Sequence, residues 1–187
     1  MQKRILGALT LGIFLSSAVL AGGAEGSGAW LGTRLDVAQT AFCRANGCIL
    51  TNVRQNNEST MGWSDGTKRT YMLRGGARLE LDVRPDGWIS NTFLFFPNQP
   101  RASGPAVITP KGHRLAAEFL SAATGRRFMP EAVAACEAEG LAANSRNPDF
   151  AGPLQPLSRW TTPMGLPYLA RCGVSWQLGV WAGWMQG

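Results

Sequence analysis

Residues Arg78 to Pro97 read RLELDVRPDGWISNTFLFFP, and this stretch decides the fold. Charged Arg78, Glu80, Asp82 and Arg84 alternate with apolar Leu79, Leu81 and Val83. A period of two over seven residues is a strand with one wet and one buried face. It predicts that Val83 is buried and Asp82 exposed. Pro85-Asp86-Gly87 then reverses the chain: proline presets the first corner, and glycine takes the positive φ that closes a short hairpin. The return strand, Trp88 to Phe96, is rich in aromatics, so both its faces should meet protein.

Working outward, two more strands precede the hairpin. Cys48 to Gln55 alternates Ile49, Thr51 and Val53 against Leu50, Asn52 and Arg54. Lys68 to Leu73 is short and turns at Gly75-Gly76 into the hairpin. The four strands form a meander. Before them, Thr33 and Asp36 resemble a capping box, Leu35, Ala38, Phe42 and Ala45 share a helical face, and Asn46-Gly47 stops the helix. After the hairpin, a second helix is expected over His113 to Thr124, ended by Gly125. A third starts at Pro130 and runs to about Glu139, stopped by Gly140. Leu141 to Pro163 has no period and four prolines, which predicts a long structureless connection. Leu166 to Cys172 and Val174 to Trp184 read as closing strands. In the second, Gly179 and Gly183 share a face and permit close backbone approach. The sum is a single α+β domain, with an antiparallel sheet of about six strands and three helices mainly on one face.

The N-terminus carries a different signal. Lys3 and Arg4 precede an uncharged run from Ile5 to Ala21 that ends in small residues. This is the pattern of a cleaved secretory signal peptide over residues 1–24, with the exported domain at 25–187. The expected location is periplasmic or extracellular, with no membrane span after cleavage. The formal charge of +6 falls to +4 once Lys3 and Arg4 leave. The basic residues are scattered apart from Lys68-Arg69 and Arg126-Arg127, so a nucleic-acid partner is not expected. A composition of 45% hydrophobic and 16% charged residues excludes a disordered chain.

Export puts Cys43, Cys48, Cys136 and Cys172 in an oxidising compartment. Of the three pairings, 43–48 with 136–172 is favoured, because Cys43 and Cys48 flank the Gly47 stop and the other pair would tie helix to sheet. Without a C-x-x-C and with one distant histidine, neither a metal site nor a redox motif is expected, and no cofactor fingerprint is present.

Candidates for chemistry are few. His113 is the only histidine, and the plainer reading of it is a surface or capping residue. Glu80 and Asp82 share a strand face at a spacing that overlaps the range of glycosidase carboxylates. Their alternation with Arg78 and Arg84 points instead to ion pairs. Glu137 and Glu139 lie on different sides of a helix and make no site. Seven tryptophans remain. Trp176 and Trp184 share the apolar face of the last strand and read as core. Trp181, on the other face, and Trp63, in a polar loop, are the candidate binding aromatics. The leading expectation is an exported, non-enzymatic binding or inhibitor-like module for an extracytoplasmic protein, peptide or glycan. A small secreted hydrolase using His113 or the carboxylate pair is one alternative. An envelope protein assembling through its C-terminal strand is another.

Overall fold

The computed structural model of the chain describes residues 29–55, 66–97, 107–146, 155–161, 167–174 and 178–184. The leader and Trp63 and Trp176 lie outside them. The described residues form one α+β unit around a seven-stranded antiparallel sheet. Its strands are β1 (Ile49–Gln55), β2 (Thr67–Met72), β3 (Arg78–Val83), β4 (Ile89–Phe95), β5 (Gln155–Thr161), β6 (Pro167–Val174) and β7 (Leu178–Trp184). Their order across the sheet is β1-β2-β3-β4-β7-β6-β5. Three helices, α1 (Ala41–Asn46), α2 (Pro110–Thr124) and α3 (Pro130–Arg146), accompany it.

The four-stranded meander β1 to β4 is present as expected. At its tightest turn Gly87 takes φ 86° and donates its N–H to Arg84 O. Arg84 N–H then reaches Trp88 O, and Asp86 both accepts from Trp88 N–H and pairs with Arg84 at 3.0 Å. Leu79, Leu81 and Val83 face the core, and the first four residues of β4 are buried on both faces.

The helical layer follows from its caps. The single helix expected after Thr33 is two pieces, a 3-10 turn over Val37–Gln39 and α1. Asp36 accepts from Ala38 N–H at the start of the turn. The Thr40 hydroxyl both donates to Val37 O and caps Cys43 N–H, which interrupts the helix there. Left-handed Gly47 ends α1 as expected. Helix α2 begins earlier than His113, because Thr109 accepts from Gly112 N–H and Pro110 suits the first turn. Helix α3 runs through Gly140 to Arg146 rather than stopping. An interior glycine costs only about 1 kcal/mol, and Gly140 is buried while the next residue, Leu141, packs near Ile108.

Helix α2 packs on β4 and β7, and α3 on β5 and β6. Trp30 anchors the core between Phe42 and Phe119, with ring centroids 5.5 and 5.7 Å away. Both favoured disulfides are present. Cys43–Cys48 closes the α1–β1 corner, and Cys136–Cys172 ties α3 to β6.

Two expectations are corrected. The stretch from Leu141 to Pro163 contains the end of α3 and the edge strand β5. Pro156 hid the strand, yet an edge tolerates a proline, and the register shifts between Pro156 and Ser158. The C-terminal strand β7 lies in the middle of the sheet, paired with β4 on one side and β6 on the other. It has no free edge, so assembly through it is not available to this fold. The sheet's edges are β1 and β5.

Candidate functional site

The strand face opposite the helices carries the sequence's carboxylate pair. Cross-strand partners share a face, so Lys68 and Asn91 lie beside Asp82, and Phe93 lies between Glu80 and Trp181. Lys68 Nζ stands 3.6 Å from both Glu80 Oε2 and Asp82 Oδ1, and Arg78 Nε is 3.0 Å from Glu80 Oε1. Glu80 and Asp82 thus sit in an ion-pair network, as their alternation with arginine suggests. Asp82 itself departs from expectation: it is 8% exposed, not solvent-facing. The outer face of the sheet's centre is packed too, so alternation there separates two buried faces rather than wet from dry. Burial raises the Asp82 carboxyl above its usual range, against the lowering pull of Lys68 and of Asn91 Nδ2, which donates to it at 3.4 Å.

Trp181 occupies this same face, out of phase with Val180 and Ala182 as its position predicts. It is not an exposed anchor. Only 6% of it is exposed, with Phe93 6.1 Å away and the Arg171 guanidinium 5.6 Å from its ring. Gly179 and Gly183 explain the fit, since side chains there would meet Leu94 O and Asn91. The indole N–H and Asn91 Oδ1 find no partner among the described residues. Trp63 lies outside them.

His113 has the partner that sequence reasoning missed. Its Nε2 is 2.6 Å from Glu137 Oε2, while Glu137 Oε1 accepts from Ile108 N–H at 2.5 Å. Glu137 is buried and His113 half-buried. The one acid thereby joins the first turn of α2, the segment just before it, and α3. A signal for it existed. Val133, Cys136, Glu137 and Gly140 fall on one buried stripe of α3, and an acid on such a stripe requires a partner. Glu139, exposed, takes no part.

A cleft beside α2 does not include His113. It encloses about 640 Å³ over Leu73, Phe96 and Ile108, rimmed by Arg74, Lys111 and Arg114. No three His, Cys, Asp or Glu side chains gather into a metal-binding group among the described residues.

The remaining feature is the edge strand β1. All seven of its residues are exposed, including Ile49 at 67%, Leu50 at 50% and Val53 at 53%. Its substantial contacts are all to β2. A register shift between Leu50 and Asn52 changes its phase, so the sequence's pairing of Ile49 with Val53 on one face does not hold. Leu50 faces Tyr71, and Val53 faces Arg69, whose own partners across β3 are Leu79 and Leu81. Leu50 and Val53 therefore continue the core face beyond the cover of the helices. No protein-family model, no curated protein and no solved structure matches this chain.

Proposed function

We propose that the protein is an exported binding module, which holds an extracytoplasmic partner without transforming it. The observation that carries this reading is β1. An edge strand that among the described strands pairs only with β2, and that carries three exposed aliphatic side chains, is the surface that natural sheets ordinarily blunt with lysine, proline or a covering element. Kept open, it suits a partner that adds a strand. Two disulfides fit an oxidising compartment, and no helix among the described residues is long and apolar enough to cross a membrane. The His113–Glu137 pair has the orientation of a base and its supporting acid. Its evident job is to join α2 to α3, and Glu137 divides its two oxygens between His113 and a backbone N–H.

The test probes an array of extended heptapeptides with the domain and with Leu50→Ser/Val53→Ser. Both side chains are about half exposed, so the double variant should keep its stability to within about 1 kcal/mol. It should lose most peptide retention, and peptides eluted from the wild type should have unchanged mass. Equal retention by both proteins sinks the reading, and cleaved peptides transfer it to the hydrolase.

A further inference from the structure

We propose that the free edge of β1 takes an extended, acidic peptide segment of another protein, which pairs its backbone with Ile49–Arg54 and lays apolar side chains on Leu50 and Val53. This rests on the binding-module reading and names the partner's chemistry. Three observations carry it.

The first is backbone. An antiparallel strand bonded on one side directs every second residue's N–H and C=O to the other side. On β1 that side faces no described strand, because β2 is its only neighbour. Only an extended chain presents donors and acceptors at the matching repeat.

The second is the ledge. Leu50 and Val53 share the face that, two strands inward, is the hydrophobic core. A partner with apolar side chains at alternate positions would extend that core by one strand. Specificity in strand addition comes from such alternate side chains, while the backbone supplies affinity.

The third is charge, and it decides between occupants. Among the described residues around the edge, Arg44, Arg54, Lys68, Arg69 and Arg74 outnumber the one acid, Asp36, whose charge reaches Tyr71 opposite Leu50, while Glu58 and Asp65 of the β1–β2 connection lie outside the described residues. Among the described residues, Lys68 alone of these five is in a salt bridge, with Glu80 and Asp82. A second copy paired through β1 would bring two such basic ends together, which like-charge repulsion opposes. A segment carrying Asp or Glu between its apolar residues meets the same field favourably, and its association should weaken as salt screens the field.

The experiment titrates three labelled octapeptides into the domain: four repeats each of Glu-Val, Ser-Val and Lys-Val. Glu-Val should bind at least tenfold tighter than Lys-Val, with Ser-Val between, and the spread should shrink at 0.5 M salt. Arg54→Glu, at an exposed position, should narrow the Glu-Val to Lys-Val ratio. N-methylation of alternate Glu-Val residues on one edge should abolish binding, and the same modification on the other edge should not. Binding indifferent to peptide charge overturns this proposal and leaves the binding-module reading standing. Binding of none of the three peptides, with Leu50→Ser/Val53→Ser equal to wild type on the array, overturns both. A dimer that sediments as such and dissociates in Leu50→Ser/Val53→Ser overturns the partner class in favour of a second copy.

Discussion

The Asp82 carboxyl lies among Lys68, Glu80 and Asn91, and its nearest cation is shared with Glu80. Burial is the larger influence on it, so its native pKa is raised above the ordinary value near 3.8. Between those two values the native state holds a proton that the unfolded chain has released. The protonated acid therefore costs nothing at low pH, and stability is lost as pH rises through the raised native value. Asp82→Asn removes that loss and still offers Asn91 an acceptor. Relative to wild type, the variant should gain stability as pH rises from about 3.8 through the raised native value, read as a melting difference that moves in its favour with pH. A difference that is constant with pH would show that Asp82 ionises as freely as in the unfolded chain. The sequence made Asp82 legible as a strand-face residue in an ion-pair network, and that much stands. It could not reveal the burial, because the outer-face packing is completed by β7, far along the chain. Glu137 is a related case: its stripe with Val133 and Cys136 marks it as inward-facing, but its partner is on another helix.

At the scale of elements, local chemistry was a good guide wherever a turn or a cap acts alone. Pro85-Asp86-Gly87, the Gly47 stop and the Pro130 start all act through their own residues. It failed where tertiary position overrode propensity, in β5, which carries Pro156 on an edge, and in α3, which runs through Gly140. The phase of β1 was also out of reach, since its register shift exists only against β2. Strand β7 is the element whose glycines have a definite task. A Cβ on Gly183 would run into Asn91 Oδ1 and stand 2.8 Å from Trp181 Cζ2, and one on Gly179 would sit 2.8 Å from Leu94 O. Asn91 is 1% exposed and has nowhere to retreat. Gly183→Ala should cost about 1–3 kcal/mol through overpacking. Gly75→Ala, where nothing lies within 4 Å, should stay within about 0.5 kcal/mol. Urea titrations giving the two variants the same midpoint would mean that β7 does not approach β4 this closely.

Across the whole molecule, the helical layer is offset towards one side of the sheet. Helices α2 and α3 cover β4 to β7, and β1 projects beyond them. The covered side contains β5, β6 and β7, contributed by the C-terminal third of the chain, and the β6 strand is bonded to α3 through Cys136–Cys172. That bridge closes 36 residues of separation. Its removal frees the unfolded chain and takes away the covalent tie between α3 and β6. Cys136→Ala/Cys172→Ala should lower stability by about 2–5 kcal/mol, a large share of what a domain of this size has. The Cys43–Cys48 loop is only 5 residues, so chain entropy assigns it the smaller loss. Placing the two losses in that order in denaturant titrations would support the offset arrangement. A Cys43→Ala/Cys48→Ala variant that is the weaker of the two would move the mechanical centre of the fold to the α1–β1 corner. Because β1 lies at the far edge from Cys136–Cys172, the long-bridge variant, at a temperature where it remains folded, should still bind the Glu-Val peptide with wild-type affinity. A parallel loss of affinity would mean that the edge strand and the disulfide-bonded side report on one cooperative unit, whose state at β1 depends on how α3 is held.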